Sequence, residues 1–180
     1  MFKVVNNILK IEKKNNSKFN LLFTLIITII LTFSINKFLL FFAYVPSSSM
    51  EPTLFPNDLI LVTKVYNTNN LKRGDIIVFK SNELDEALVK RLIGLPGDLI
   101  EFKNSSIYVN SKKLDENYLK EPYNFEGSFK VPDNAFFFLG DNRNNSFDSR
   151  YWDDPFILKD DIFGKAQFVI YPIYHIKLLR

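Results

Sequence analysis

Hydrophobic and polar positions divide this chain into two regimes. From Phe19 to Asn36 no residue is charged, and Lys37 is the only charge between Lys18 and Glu51. At ~1.5 Å rise per residue these eighteen residues reach about 27 Å, close to the ~30 Å hydrocarbon core of a bilayer. A helix continued through Lys37 to Tyr44, with the Lys37 ammonium snorkelling to the interface, completes a transmembrane span over 19–44. A cleaved secretory signal shares the basic flank and apolar run. Against it, the run is long and leads into the bulky Phe38-Leu39-Leu40-Phe41-Phe42 with no small-x-small site before Pro46.

Beyond Val45 short apolar runs alternate with turn residues. Asp58 to Val65, Ile76 to Phe79, Leu88 to Ile93, Leu99 to Phe102, Ile107 to Val109, Ala135 to Leu139 and Gln167 to Tyr171 read as strands. Turns are expected at Arg73-Gly74-Asp75, Leu95-Pro96-Gly97-Asp98, Asn110-Ser111 and Gly140-Asp141-Asn142. The fold class this predicts is mainly β, an antiparallel sandwich or partly closed barrel over 45–180, carried by one N-terminal transmembrane helix. The polar stretch 104–130 reads as a small variable subdomain or hairpin.

Charge adds an orientation. Lys3, Lys10, Lys13, Lys14 and Lys18 against Glu12 leave four positive charges before residue 19; set against the whole-chain net of +3, the remainder carries −1. The basic bias therefore marks residues 1–18 as a cytoplasmic tail, with 45–180 extracytoplasmic, and gives no basic face for nucleic acid. With no cysteine and one histidine, a disulfide framework, a thiol nucleophile and a His- or Cys-rich metal site are excluded. At 180 residues the chain suits one core plus a small subdomain.

The candidate chemistry begins at Pro46-Ser47-Ser48-Ser49-Met50-Glu51-Pro52-Thr53-Leu54, a serine cluster where the apolar segment ends. A serine hydroxyl needs a base before it attacks a carbonyl. The one imidazole, His175, lies near the end of the sequence; otherwise the base must be a lysine whose pKa falls by about two to three units through burial. Lys90 suits this best, because strand alternation puts Leu88 and Leu92 on its face. Local sequence alone favours the simpler arrangement of a strand lysine reaching solvent, and Arg91 has the same apolar flanks.

Four blocks in order resemble those of the bacterial type I signal peptidases. The serine cluster is similar to that family's nucleophile box, and Arg73-Gly74-Asp75-Ile76-Ile77-Val78-Phe79 to a structural strand block. Lys90-Arg91-Leu92-Ile93-Gly94-Leu95-Pro96-Gly97-Asp98 resembles the box supplying the base. Gly140-Asp141-Asn142-Arg143-Asn144-Asn145-Ser146-Phe147-Asp148-Ser149-Arg150-Tyr151-Trp152 resembles the final box. Ser48, Asn144 and Asp153-Asp154 depart from it, standing where glycine, aspartate and glycine are frequent.

The resemblance implies a membrane-bound Ser/Lys serine endopeptidase that removes signal peptides from exported preproteins, acting as a monomer without metal or cofactor. Its implied partners are those signal peptides and the lipid bilayer. Ser49 would be the nucleophile, Lys90 the general base, Ser47 an oxyanion donor beside the Ser49 amide, and Ser146 the hydroxyl that holds the Lys90 amine. Asp148 and Arg150 would brace the last box, with Asp141 supporting. Val45, Met50, Leu54 and Val89 would line shallow apolar pockets, although the same residues suit an ordinary core. Leu54 and Phe55 would rest the domain on the outer leaflet. Asn144, Asn145 and Ser149 read as a solvated loop. A related Ser/Lys processing peptidase and a tethered binding module that has lost activity are the competing readings. The four candidate catalytic residues together disfavour the module.

Overall fold

The computed structural model describes the backbone of residues 2–179 and the side chains of 17–35 and 37–179. Lys3, Lys10, Lys13 and Lys14, on which the orientation argument rests, lie outside the described side chains. Two compact units divide at residue 40. In the first, helix α1 (Phe2–Phe38) contains Ser17–Ile35, which is long and apolar enough to cross a membrane, with a mean hydropathy of 2.0 and no burial. The helix ends six residues before the expected Tyr44. Leu40–Tyr44 is strand β1, and Phe42 and Tyr44 are exposed while Phe41 and Ala43 pack inward. This period-2 alternation of burial fits a half-buried strand better than a lipid-facing helix.

Among the described residues the remaining strands are β2 (Leu59–Lys64), β3 (Ile76–Ser81), β4 (Glu86–Gly94), β5 (Leu99–Lys103), β6 (Ser106–Val109), β7 (Lys112–Lys113), β8 (Gly127–Lys130), β9 (Ala135–Leu139), β10 (Ile157–Leu158), β11 (Ile162–Tyr171) and β12 (Lys177–Leu178). They form two sheets, ordered β1-β2-β11-β3-β4-β9-β10, with β12 beside β11, and β7-β6-β5-β8. The pairings from β2 to β10 in the large sheet and throughout the small one are antiparallel.

The continuous apolar run of β3 reflects cover on both faces. Ile76 and Val78 enter one cluster with Val45, Met50, Leu54, Ile60 and Val62. Ile77 and Phe79 enter another with Leu92, Phe136, Phe138 and Trp152. Strand β9 repeats the device: Phe136 and Phe138 face that second cluster, while Phe137 and Leu139 face a third built with Ile93, Ile100, Phe102 and Ile107. Fully burying each of these side chains contributes about 2 kcal/mol.

The small sheet corrects the expected subdomain boundary. It starts at β5, not residue 104, and has no core of its own, since its apolar face closes on β9. Its hairpins turn on Asn104-Ser105 and Asn110-Ser111, all at positive φ (51°, 56°, 51° and 67°). Two-residue loops with both residues left-handed match the twist of paired strands, and Asn tolerates that region.

Candidate active site

The serine loop is positioned from below by apolar anchors. Val45, Met50 and Leu54 are at most 1% exposed and belong to the first core cluster. The Val45 amide donates to the Asp58 carbonyl (2.9 Å) and the Asn57 amide to the Val45 carbonyl (2.9 Å), which pins the loop's entry. With both ends fixed, Ser47 and Ser49 are carried out of the core, their hydroxyls 3.4 Å apart. Val45, Met50 and Leu54, expected to line pockets, pack in the core beneath the loop. Leu54, fully buried, cannot rest on a membrane either; Phe55 is exposed.

A cavity of about 170 Å3 opens between this loop and β4. Ser47, Ser49 and Lys90 all line it, with Ala43, Tyr44, Pro46, Ile60, Val78, Leu88 and Val89 as apolar wall. Val89 is therefore the one proposed pocket residue that reaches it. Lys90 is 4% exposed and its Nζ donates to Ser146 Oγ at 3.1 Å. Burial pushes the Lys90 pKa down to about 8. The Asp148 carboxylate opposes the shift, the Arg150 guanidinium adds to it, and Asp141 and Glu86 oppose it more weakly. An amine with this pKa is uncharged in a useful fraction near neutral pH, which an ordinary lysine near 10.4 is not.

Gly140 shows how closely the last box sits on the serine loop. A Cβ there would overlap both Ser146 Oγ and the Ser49 carbonyl oxygen, so only glycine permits the approach. The Asn142 amide donates to that Ser49 carbonyl (3.0 Å), Asn142 Nδ2 to the Ser48 carbonyl (3.1 Å) and Asn145 Nδ2 to Ser48 Oγ (2.9 Å). Ser48, where the family frequently has glycine, thus uses its hydroxyl as a cross-link. Asn145, Asn144 and Ser149 are not a merely solvated loop. Asn144 Nδ2 donates to the Pro122 carbonyl (3.1 Å), and buried Ser149 Oγ accepts from the Phe138 amide (3.0 Å).

Two buried ion pairs hold this arrangement. Asp148 accepts from Arg150 Nε (2.8 Å) and Nη2 (2.9 Å) and from the Gly140 amide (3.0 Å). Asp141 accepts from Arg91 Nε (2.8 Å) and Nη2 (2.6 Å) and from Thr53 Oγ1 (2.5 Å), while Arg91 Nη1 reaches the Gly74 carbonyl (2.7 Å). Asp141 therefore joins the serine loop, the base strand and the last box at one carboxylate, and Arg91 carries the link on to the strand block. Arg91, adjacent to Lys90 and equally buried, serves this bracing; its fork matches a carboxylate bidentately and cannot supply a base.

Sequence reasoning missed the Glu116–Arg143 pair. Arg143 Nη2 donates to Glu116 Oε1 (2.6 Å) and Nε to the Gly140 carbonyl (3.0 Å), while Tyr118 lies under the Arg91 guanidinium at 4.0 Å. Burial foremost, with the Glu116 carboxylate, pushes the Tyr118 hydroxyl pKa up, so it stays a donor to Glu116. A charged Glu-x-Tyr in a polar stretch is the signal that was available. His175, the alternative base, pairs with buried Asp58 at 2.9 Å and packs edge-on against Phe55; it is not among the residues lining the Lys90 cavity.

Comparison with known proteins shows the family. The profile described as "Signal peptidase, peptidase S26" matches residues 18–171. "Probable signal peptidase I-2" of Synechocystis sp. is 44% identical over 76% of this chain, which spans 65% of that relative's length. "Signal peptidase I P" of Bacillus subtilis subsp. natto is 43% identical over 81% of this chain and 84% of its own. A solved signal peptidase I from Enterococcus faecalis V583 is 33% identical, covering 53% of this chain and 96% of its own, with a TM-score of 0.49. By the profile match over most of its length, the chain belongs to the signal peptidase family of serine peptidases, peptidase family S26.

Proposed function

We infer that this protein is a membrane-anchored endopeptidase that removes N-terminal signal peptides from exported preproteins, with Ser49 as nucleophile and neutral Lys90 as general base. The observation that carries the reading is a buried lysine, bonded to Ser146 and shifted to about 8, sharing one cavity with Ser49 and Ser47. Lys90 Nζ takes the Ser49 hydroxyl proton as Oγ bonds to the scissile carbonyl carbon. The tetrahedral oxyanion is met by the Ser49 amide and the Ser47 hydroxyl. As the C–N bond breaks, the Lys90 ammonium returns the proton to the leaving amine. Water then attacks the acyl-enzyme, with Lys90 accepting its proton, and Ser49 is regenerated. Ser146 keeps the amine aimed, and the apolar cavity wall accepts small side chains of an extended peptide.

Ser47→Ala is expected to lower kcat by about a hundredfold with little change in KM, the usual effect of losing one oxyanion donor. Single-turnover cleavage of a signal-peptide substrate checks this. Wild-type rates in Ser47→Ala would remove Ser47 from the oxyanion site.

The α1 span and the basic tail support a single-pass anchor in the cytoplasmic membrane, N-terminus inside and catalytic segment outside. Protease added to intact spheroplasts is then expected to digest residues beyond Tyr44. Digestion only after lysis would reverse the topology and remove the preprotein reading.

A further inference from the structure

Apart from Ser47, Ser49 and Lys90 itself, the wall of the Lys90 cavity is apolar except at one end. Glu86 lines it there, four residues before Lys90 on β4. Among the described residues no hydrogen bond or salt bridge engages the Glu86 carboxylate, and its side is exposed. The field of this carboxylate is felt at the Lys90 amine, which places its charge over the same cavity. Strand β4 pairs with β9 only through Arg91, Leu92 and Gly94. The edge from Glu86 to Lys90 is therefore open to an added strand.

Direction follows from the polarity of the walls. Toward Glu86 the lining is Val89, Leu88 and Ala87, whereas none of the described β4 residues beyond Lys90 lines the cavity. Small apolar side chains before the cut fit only the Glu86 side, so the substrate runs parallel to β4 with its N-terminal side at Glu86. Four residues of strand cover about 13 Å. Side chains one, three and five places before the cut share a face.

The geometry points to Glu86 as a specificity residue that selects substrates carrying a lysine or arginine four to six residues before the cleavage site. This rests on the peptidase reading above. The ammonium or guanidinium would meet a carboxylate that no salt bridge engages among the described residues, at an exposed site where an ion pair is weak and screened by salt.

The experiment uses the full chain in detergent and a peptide series with Lys, Gln or Glu placed four, five or six residues before the cut. For wild type, kcat/KM for the best Lys peptide is expected to exceed that of its Glu counterpart by about three- to fivefold at low salt. The ratio is expected to fall to about one in Glu86→Gln and to invert in Glu86→Lys. Raising salt to about 1 M, where the screening length is ~3 Å, should flatten the wild-type ratio too. An unchanged ratio in Glu86→Gln, or no wild-type preference at any of the three positions, overturns the assignment while leaving the peptidase reading intact. Failure of wild type to cleave even the Gln peptides overturns both.

Discussion

Lys90→Arg is expected to be folded and inactive. Arginine preserves length and positive charge but does not lose its proton at any working pH, so it cannot accept the Ser49 proton. A neutral Lys90→Met variant of similar shape is expected to be equally inactive, which separates the loss of a base from a charge effect. Removing either member of a unit that acts together costs nearly as much as removing both. Ser49→Ala, Lys90→Met and the double variant are thus expected to lie within about tenfold of one another, each several orders of magnitude below wild type. Single-turnover cleavage, with circular dichroism to confirm folding, makes the comparison. Substantial activity in folded Lys90→Arg would rule out Lys90 as the base.

The largest stability effect is expected at Asp148. Its carboxylate, fully buried, receives Arg150 bidentately and the Gly140 amide, and Gly140 in turn touches both Ser49 and Ser146. Asp148→Ala leaves a buried guanidinium without its counter-charge, a change that costs about 3–5 kcal/mol. In a chain of this size that lowers Tm by about 10 °C. A second readout is specific to the site. Among the charges near the Lys90 amine, Asp148 exerts the strongest upward pull. Its removal makes the ammonium less favourable, so the pKa of Lys90 falls below about 8 and the acid limb of the pH–rate profile moves to lower pH. Thermal unfolding of the detergent-solubilised chain and the pH–rate profile of Asp148→Asn, which keeps the shape, test the two effects separately. A Tm change under about 2 °C for Asp148→Ala would show that the pair does not hold the last box.

What the chain reveals locally was legible; what depends on faces and on distant pairs was not. Strands β3, β4, β5, β6 and β9 were readable within about two residues, because each is an apolar run bounded by turn residues. The first half of β11 was missed because Gly164-Lys165 interrupts its apolar run. Gly164 is there because a side chain would collide with the Thr63 carbonyl and press on Phe41. Strand β1 reads as a continuation of the helix, since Leu40-Phe41-Phe42-Ala43-Tyr44 is apolar enough for either and only its burial alternation separates them. At the site, Lys90 stood out from its apolar flanks. Whether Val45, Met50 and Leu54 face the cavity or the core is a matter of side-chain direction, which composition does not carry. Glu116 and Arg143 are 27 residues apart, and a buried ion pair of that separation leaves no periodic trace in sequence.

The central claim, that an uncharged Lys90 activates Ser49, is tested most directly by the pH dependence of kcat/KM under single-turnover conditions, which reports groups of the free enzyme. Activity is expected to rise tenfold per pH unit on the acid side and to level off through an apparent pKa of about 8, the value to which burial lowers the Lys90 amine. His175→Asn should leave that limb in place. An acid limb that is abolished in His175→Asn would contradict the account.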